Sequence, residues 1–368
     1  MSEPLRLTVP CSHGSYDVLV GRGVVADLGG HVVGLTTARR CALVTDSNVD
    51  GIWADEAAAA LCAAGIEPVP VVIPAGEGSK SWAQAGQVIE AFSEAGLGRD
   101  SFVVALGGGV VGDLAGFAAA TYLRGIPVVQ VPTTLLAQAD SSIGGKTGVD
   151  LPRGKNLAGA FWPPLLVLTD VSTLETLPDG EWLSGLAEVA KSAVLSGEVA
   201  FAALERDAGA LLLRESAAVE SAVIMAAGLK CAVVGEDERE SGQRESLNYG
   251  HTLGHAIERV LGYGTVSHGR AVADGMRFAA RLAADLGIAQ RSWADRQERL
   301  LDSLALLRRD HGCDPVHLLD AMRADKKVRG GDVRFVMSVG PGEWTVQAVS
   351  EDMLASALSR WCAREGER

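Results

Sequence analysis

Short apolar runs alternate with alanine-rich stretches through the first half of the chain. The runs predict buried strands, and the stretches, in which apolar residues recur at helical spacing, predict helices. The predicted strands are residues 5–9, 16–20, 41–46, 69–73, 101–106, 128–131 and 165–169, and the predicted helices are residues 54–64 and 81–95. The first two strands are expected to form a hairpin across residues 11–14. Such alternation indicates an α/β fold, a parallel sheet with helices on both faces.

After about residue 172 the pattern of apolar residues changes. Runs rich in Ala, Leu and Glu at helical spacing predict helices over residues 181–196, 198–206, 217–237, 247–261, 269–286 and 292–311. The next strand-like run is residues 333–338, and a charged tail begins at residue 363. We therefore expect an α/β domain of residues 1–175 followed by a mainly α-helical domain of residues 176–368.

Composition narrows the class of protein. Of the 368 residues, 33 are basic and 46 are acidic, which gives a formal net charge of −13. An acidic chain is poorly suited to general nucleic-acid binding, so an anionic ligand must be met by local basic groups. The six cysteines are scattered without a Cys-x-x-Cys pair, which favours a reducing compartment. A signal-peptide pattern and a run of 18 apolar residues without breakers are both missing, so we expect a soluble, cytoplasmic protein without a membrane partner.

Three of the seven histidines lie close together in the chain. His251 and His255 are four residues apart in a predicted helix, and therefore on one face of it, and His268 follows. Imidazole nitrogen is a common ligand of zinc and similar metals. Position 252 is Thr, so the HExxH signature of zinc proteases is absent. The cluster predicts a metal site, although the same spacing also arises when each ring only bonds a backbone carbonyl.

A carboxylate on another predicted helix could complete that site. Glu188 and Lys191 are three residues apart on a face that is otherwise apolar. Glu188 is accordingly a candidate metal ligand with a lysine beside it. The alternative is a surface ion pair that contributes little stability.

A glycine-rich turn follows the predicted strand at residues 101–106. Residues 107–113 read Gly-Gly-Gly-Val-Val-Gly-Asp and match GxGxxG at the start of a helix. Such a turn lets backbone N–H groups and a helix N-terminus approach a pyrophosphate. The acidic residue expected at the end of the next strand is absent, and a tight turn without a ligand is the alternative.

Polar side chains at the ends of several predicted strands support a dinucleotide site, because ligands of open α/β sheets bind at the carboxyl ends of strands. These side chains are Asp46, Asn48, Glu77, Lys80, Thr133 and Thr134. Ordinary turn and cap chemistry explains each of them singly.

Basic residues are concentrated in the stretch that follows the glycine-rich turn. Arg124, Lys146 and Lys155 fall within about thirty residues of this acidic chain. Lys146 ends a second glycine-rich segment, residues 140–146, which lacks the GxxxxGK[ST] spacing of a P-loop. A phosphate or carboxylate on a substrate explains these cations, and Lys230 could reach the same anion. The alternative is solvated surface lysines.

Together these segments closely resemble the 3-dehydroquinate synthases, which are members of the sugar phosphate cyclases. The resemblance is carried by residues 107–125, 131–148 and 247–258, by Lys155-Asn156 and by His268, and it runs over residues 46–336. It implies an N-terminal NAD-binding α/β domain with a Rossmann-like parallel sheet, a mainly helical C-terminal domain and a cleft between them. It also implies a homodimer.

The resemblance implies conversion of 3-deoxy-D-arabino-heptulosonate 7-phosphate to 3-dehydroquinate and phosphate, in the shikimate pathway of aromatic amino acid biosynthesis. NAD takes a hydride from a ring carbinol, phosphate leaves by elimination, NADH returns the hydride, and the ring opens and closes again by an aldol step. NAD is regenerated, and a zinc or cobalt ion holds the reacting hydroxyls and lowers their pKa. The leaving phosphate itself is implied as a base.

The resemblance also implies roles for individual residues. The implied metal ligands are Glu188, His251 and His268, so His255 is expected to contact substrate. The implied substrate-binding and catalytic residues are Arg124, near the phosphate, Asp140, Lys146, Asn156, Lys191, Lys230, Arg244, Asn248, His255 and Lys327. The implied NAD contacts are Asp46, Asn48, Glu77, Lys80, Gly109, Asp113, Thr133, Thr134, Lys146 and Lys155.

Departures from the family pattern leave a relative with another substrate open. Arg270 stands where the family often has an acidic residue, and Ala190 and Ser192 replace bulkier residues beside Lys191. One alternative is an aminodehydroquinate synthase of secondary metabolism. A metal-dependent polyol dehydrogenase is less favoured, because the cations suit a phosphate. A non-catalytic protein with the same fold is a third alternative, and the intact set of metal ligands argues against it.

Overall fold

The computed structural model describes residues 3–324, 328–329 and 332–363, which form two compact units. The first unit runs to Pro178 and also includes Lys230–Arg239, and the second consists of Asp179–Leu229 and the chain from Glu240 onward. The first unit is therefore built from two separate stretches of sequence, which the expectation of two consecutive domains did not include. Lys327 and the tail residues 364–368 lie outside the described residues.

A seven-stranded sheet forms the centre of the first unit. The strands of this unit are β1 (Leu5–Cys11), β2 (Gly14–Gly21), β3 (Arg40–Asp46), β4 (Glu67–Ile73), β5 (Phe102–Gly107), β6 (Val128–Pro132), β7 (Lys146–Leu151), β8 (Gly154–Phe161) and β9 (Leu166–Asp170). The sheet order is β1-β2-β9-β6-β5-β3-β4, and β7 and β8 form a separate two-stranded sheet. β1 and β2 pair antiparallel, whereas the other neighbours in the large sheet pair in parallel. The predicted parallel sheet and its initial hairpin are confirmed.

Helices cover this sheet on both faces. They are α1 (Leu28–Val33), α2 (Asp55–Ala63), α3 (Trp82–Glu94) and α4 (Gly109–Thr121). Residues of α1 and α2 share one core with the sheet, and residues of α3 and α4 share the other. Successive side chains of β3 alternate between the two cores: Leu43 joins the first, and Ala42 and Val44 join the second. This two-sided burial explains why the strands are uninterrupted apolar runs in the sequence.

The hairpin of β7 and β8 was not predicted, because its sequence is rich in glycine and lacks strand periodicity. Its two strands approach so closely that side chains do not fit at two positions. A Cβ at Gly148 would lie 2.7 Å from the carbonyl oxygen of Ala158, and one at Gly159 would lie 2.2 Å from that of Thr147. Glycine is therefore required here by cross-strand contact, although it weakens the strand signal.

Helices dominate the second unit, as predicted. They are α5 (Asp179–Ser196), α6 (Glu198–Leu212), α7 (Ser216–Glu236), α8 (His251–Leu261), α9 (His268–Asp285), α10 (Arg291–Ser303), α11 (Pro315–Arg323) and α12 (Glu351–Ala363). A small antiparallel sheet consists of β10 (Val328–Arg329), β11 (Asp332–Gly340) and β12 (Glu343–Val349). Phe335 of β11 packs in one core with Phe278 of α9 and Leu358 of α12. The last residues of α7, from Lys230, belong to the first unit.

Three predicted helices have wrong bounds. The helix predicted over residues 198–206 extends to Leu212. The helix predicted from residue 247 begins at His251, because Gly250 has φ 81° and interrupts the chain; Asn248 instead ends a short 3-10 helix, Gln243–Asn248. Asn248 therefore does not share a helix with the histidines. The helix predicted to residue 311 ends at Ser303, and Ala305 follows with φ 56°. The elements α11, α12 and β12 were not predicted.

Among the described residues, α7 is long and apolar enough to cross a membrane by length and composition alone. Its mean hydropathy is 1.8 over an 18-residue window. This is weak evidence, because core helices of water-soluble proteins pass the same test.

Candidate functional site

Three side chains from three helices of the second unit converge on one point. Glu188 lies on α5, while His251 and His268 are the first residues of α8 and α9. Oε1 of Glu188 is 3.6 Å from Nε2 of His251 and 3.5 Å from Nε2 of His268. Two ligands of a tetrahedral zinc ion, each about 2.0–2.1 Å from the metal, lie about 3.4 Å apart. The two separations from Glu188 are therefore close to those that one divalent ion requires, and all three ligand atoms lie within 4.8 Å of one another.

Close packing at two glycines brings these helices together. Gly250, immediately before His251, has φ 81°, and a Cβ there would lie 2.7 Å from the carbonyl oxygen of Val272 on α9. The packing at Gly269, immediately after His268, is tighter. A Cβ there would lie 2.1 Å from the carbonyl oxygen of Ser184 on α5. Side chains at either position would push the histidines away from Glu188.

The second ring nitrogen of each histidine is held by an oxygen acceptor. Nδ1 of His251 lies 3.2 Å from the backbone oxygen of Tyr249, and Nδ1 of His268 lies 3.2 Å from Oε2 of Glu258. A carbonyl or ionised carboxylate oxygen can only accept, so the proton belongs on Nδ1 of each ring. Each Nε2 then faces Glu188 and is the nitrogen left to ligate a metal, as in metal-ligating histidines.

The carboxylates of Glu188 and Glu258 are both buried at this site, where a cation can stabilise them. Glu188 is 1% exposed, and its Oε1 makes no hydrogen bond within the part of the chain that the structure describes. Lys191, also 1% exposed, forms an ion pair with the other oxygen of Glu188. Burial by itself lowers the pKa of His268, but the carboxylates of Glu188 and Glu258 raise it to about 9. A carboxylate and two imidazoles form a ligand set that suits zinc or cobalt, with a coordination position left for a substrate oxygen.

His255 lies next to this group but in a different one. Its ring centroid is 5.3 Å from that of His251 and 6.1 Å from that of His268. With Glu258 and His268 it forms a second set of donor atoms within 4.8 Å of one another, whereas Glu188, His251 and His268 form the first set. The direct interpretation of the sequence paired His255 with His251, and the resemblance separated them.

Other predicted site residues of the second unit are positioned by acidic partners or by burial. Nδ2 of Asn248 donates to Oε1 of Glu240 at 2.7 Å. Arg244, in the same 3-10 helix, is 2% exposed, which is rare for an arginine. Lys191 lies one turn beyond Glu188 on α5.

In the first unit, the predicted glycine-rich turn has the strand-to-helix context that a pyrophosphate site needs. β5 ends at Gly107, and Gly108 caps the 13-residue helix α4. A Cβ at Gly108 would lie 2.9 Å from Cγ2 of Thr134, and one at Gly109 would lie 3.1 Å from Oγ of Ser141. The backbone N–H groups at the start of α4 are therefore not covered by side chains from the turn itself.

Several buried hydroxyl groups near this turn have no hydrogen-bond partner among the described residues. They are Oγ1 of Thr45, Thr133 and Thr169 and Oγ of Ser141. Thr133 directly follows β6, and Thr45 and Thr169 lie near the carboxyl ends of β3 and β9. Such groups are normally satisfied by protein, water or ligand. The fit supports a polar cofactor at this edge of the sheet.

The remaining polar residues at the strand ends are already paired with one another. Lys80 bonds Asp113 at 2.5 Å, and Lys155 lies 3.2 Å from Glu77. Burial alone lowers the pKa of Lys80, but the Asp113 carboxylate raises it above its ordinary value, so the lysine stays charged. Asp46 has the turn role that was the alternative for it, because its Oδ1 accepts from the backbone N–H of Asn48 at 2.8 Å.

The predicted anion-binding residues of the first unit lie in different elements. Lys230, on α7, forms an ion pair with Asp140 in the turn after β6. Lys146 begins β7 and is exposed. Arg124 and Asn156 both have a left-handed backbone, with φ 69° and 55°, which is uncommon for residues other than glycine.

Direct interpretation of the sequence gave Glu258 no role of its own, although it is 2% exposed. The available signal was a carboxylate three residues after His255, within the apolar face of a predicted helix. A charge that a helix buries normally has a specific partner.

Comparison with known proteins gives a consistent result. The family described as "3-dehydroquinate synthase N-terminal" matches residues 70–184, and "3-dehydroquinate synthase C-terminal" matches residues 185–328. The 3-dehydroquinate synthase of Pelobacter propionicus is 46% identical over 348 residues, which cover 95% of this chain and 97% of the relative.

Two solved structures have the same fold. A 2-deoxy-scyllo-inosose synthase complexed with carbaglucose-6-phosphate, NAD+ and Co2+ superposes with a TM-score of 0.89 at 24% identity, covering 97% of this chain and 100% of its own. The 2-epi-5-epi-valiolone synthase ValA of Streptomyces hygroscopicus subsp. jinggangensis 5008, with NAD+ and Zn2+ bound, has a TM-score of 0.86 at 28% identity. It covers 95% of this chain and 97% of its own.

Proposed function

Because the chain belongs to the 3-dehydroquinate synthase family, we propose that it converts 3-deoxy-D-arabino-heptulosonate 7-phosphate to 3-dehydroquinate and phosphate. It would thus be a phosphorus–oxygen lyase of the shikimate pathway. The observation that carries the proposal is the convergence of Glu188, His251 and His268 in a chain matched by this family from residue 70 to residue 328.

We propose NAD and a divalent metal, zinc or cobalt, as cofactors. The relatives of known structure that are named above carry NAD+ with Co2+ or Zn2+. The glycine turn and the unsatisfied hydroxyl groups support the first cofactor, and the carboxylate with two imidazoles supports the second. When bound, NAD supplies a reversible hydride acceptor, and the metal supplies a Lewis acid for substrate hydroxyl groups.

In this proposal Glu188, His251 and His268 hold the metal. Their fixed tautomers and close helix packing orient them before an ion arrives, which reduces the cost of organising the site. Lys191, paired with Glu188, lies beside the site and can hold a substrate oxygen.

The NAD contacts are proposed along the strand ends and the glycine turn. Backbone N–H groups at Gly109 can approach a pyrophosphate, and Thr133 can donate its hydroxyl proton. The full proposed set is Asp46, Asn48, Glu77, Lys80, Gly109, Asp113, Thr133, Thr134, Lys146 and Lys155.

Binding of the phosphorylated sugar acid needs local cations in a chain of net charge −13. Guanidinium and ammonium groups bind phosphate and carboxylate by charge-assisted hydrogen bonds. The proposed substrate residues are Arg124, Asp140, Lys146, Asn156, Lys191, Lys230, Arg244, Asn248 and His255, together with Lys327. Among them His255, which is partly exposed, is the side chain that we propose moves a proton at a substrate hydroxyl.

We further propose a homodimer in the cytoplasm. Strand β8 pairs with β7 and, within the described residues, with no other strand. On one face it carries Leu157 and Phe161, which are 41% and 38% exposed. An unpaired strand edge next to exposed apolar side chains is normally covered. Light scattering should give a particle of twice the 38.3 kDa chain mass, and Leu157→Lys should shift it toward the monomer.

The decisive experiment is phosphate release from 3-deoxy-D-arabino-heptulosonate 7-phosphate by the purified full chain. We expect release in the presence of NAD, loss of release with a chelator, and recovery on adding back Zn2+ or Co2+. NADH should not accumulate, because each turnover returns the hydride.

The other outcomes are equally specific. NADH accumulation with glycerol and no phosphate release would identify a polyol dehydrogenase. A higher kcat/KM for the amino-substituted heptulosonate phosphate would reassign the substrate to an aminodehydroquinate synthase reaction. A metal-loaded chain that releases no phosphate from either compound would overturn the proposal.

A further inference from the structure

Glu258 is a buried carboxylate next to the metal group and is not one of the proposed ligands. It lies on α8 and is 2% exposed. Its Oε2 is 3.2 Å from Nδ1 of His268, the ring nitrogen that faces away from Glu188. Glu258 therefore contacts a proposed ligand from behind.

The geometry of α8 fixes Glu258 in this place. Glu258 is seven residues after His251, about two helical turns, so the two side chains share a face of the helix. On that face α8 lies close to α9, because Gly254 has no side chain to separate the two helices. A Cβ at Gly254 would lie 3.2 Å from the backbone of Ala271. A side chain of glutamate length can then span from α8 to the first residue of α9.

The cost of burying this carboxylate indicates a specific role. Its neighbours on α8, Ala256 and Ile257, belong to an apolar core, in which an uncharged residue would be less costly. A buried charge is normally paired with specific groups, and one partner of this carboxylate is His268.

We propose that Glu258 is a positioning residue, which accepts a hydrogen bond from Nδ1 of His268 and so holds Nε2 of that ring toward the metal. The inference rests on the proposed metal site. Carboxylates behind ligating histidines fix the ring and its tautomer and make the ligand more basic, and losing one weakens metal affinity about 10–100-fold.

Glu258 could instead be a ligand itself. Together with His255 and His268 it forms a second group of donor atoms. His268 belongs to both groups. While its Nδ1 donates a hydrogen bond to Glu258, only its Nε2 can ligate a metal, so it serves the group that contains Glu188. The positioning role therefore predicts one metal ion per chain, and a ligand role predicts a second one.

The test compares full-length variants for metal affinity, by competition with a chromophoric chelator, and for the visible absorption of the Co2+ form. We expect Glu258→Ala to weaken Co2+ binding about 10–100-fold and to alter the spectrum. Glu258→Gln keeps an oxygen acceptor and should weaken Co2+ binding by a smaller factor than Glu258→Ala. If the alanine variant does not fold, the glutamine variant decides, with a measurable loss of affinity and a shifted spectrum.

Asp274 provides a matched control on the neighbouring helix. Its carboxylate is 2% exposed and bonds Nε2 of His311 at 2.9 Å, so it is another buried carboxylate–histidine pair. Asp274→Asn should destabilise the fold but leave metal affinity and the Co2+ spectrum unchanged. Equal affinity and spectrum for wild type and both Glu258 variants would overturn the inference. So would two ions per wild-type chain with one lost in Glu258→Gln.

The outcome for the proposed metal site is separate. If wild type binds no metal, or His268→Ala keeps full affinity, the proposed ligand set is wrong and the inference falls with it. If wild type binds one ion that His268→Ala loses and the Glu258 variants keep unchanged, only the inference is wrong.

Discussion

Lys230 and Asp140 form an ion pair between α7 and the short π-helix Ala137–Ser141 that follows β6. The two residues are far apart in the chain but belong to the same unit, because Lys230–Arg239 returns to the first unit. Their side chains are 11% and 18% exposed, so water screens the pair only in part. The ion pair is thus one of the contacts that hold the returning segment to the sheet unit.

Replacing either partner should destabilise the protein. We expect Lys230→Met and Asp140→Asn each to lower the free energy of unfolding by about 1–3 kcal/mol, between the values for exposed and fully buried pairs. The double variant should lose less than the sum by about 1 kcal/mol. Urea unfolding measures these values. Arg6→Met is the control: Arg6 is 67% exposed in its pair with Asp17, and its loss should cost below about 1 kcal/mol. Strict additivity of the two single losses would show that the pair contributes nothing.

Removing one proposed metal ligand should remove the metal. His268→Ala deletes one of the three donors, and we expect its metal content after dialysis to be near zero and phosphate release to be abolished. His311→Ala, which removes a ring bonded to Asp274, should keep its metal. Metal content is measured by atomic emission. Wild-type metal content in His268→Ala would show that His268 is not a metal ligand.

The sequence predicted the sheet well because the physical signal is local. Strands such as β3 and β5 are buried on both faces, and their uninterrupted apolar runs indicate this burial in the sequence. The hairpin of β7 and β8 could not be predicted, because its glycines are required by close contact between the two strands. The local sequence does not reveal that contact. The start of α8 was misplaced for a related reason: Gly250 looks like a tolerated helix glycine until its left-handed φ is known.

The candidate site was predictable only in part. Helical spacing on its own paired His251 with His255, since those are neighbours on one helix. The apolar helix face around Glu188 made it a candidate to complete the site, but only the resemblance separated His255 from the ligands, because that choice depends on how α5, α8 and α9 pack. The partner of Glu258 was not predicted from the sequence, since the partner of a buried charge is known only once the neighbouring helix is in place.

Two cysteine thiols should be unreactive in the folded protein. Burial raises the pKa of Cys41 to about 12 and that of Cys231 to about 12, so almost no thiolate forms at pH 8. Since thiolate is the reacting form, both should resist Ellman's reagent at pH 8 and react only after unfolding. Cys62, which is exposed, should react in the native state, and Cys62→Ser should remove that fast phase. Native labelling of Cys41 or Cys231, located by peptide mass mapping, would contradict the burial of these thiols.

The glycine turn offers a test of the NAD site that does not depend on the metal. A Cβ at Gly109 would lie 3.1 Å from Oγ of Ser141, so Gly109→Val must place bulk where backbone N–H groups are proposed to meet the pyrophosphate. We expect the Kd for NAD, measured by calorimetry on metal-free protein, to rise at least about tenfold, or ~1.4 kcal/mol. Gly86 is the matched control, because it lies inside α3 and a Cβ there meets nothing within 4 Å. Gly86→Ala should leave NAD affinity unchanged and stabilise the protein by up to about 1 kcal/mol. Equal NAD affinity in Gly109→Val and wild type would mean that the turn is only a tight connection between β5 and α4, and that NAD binds elsewhere in the chain or not at all.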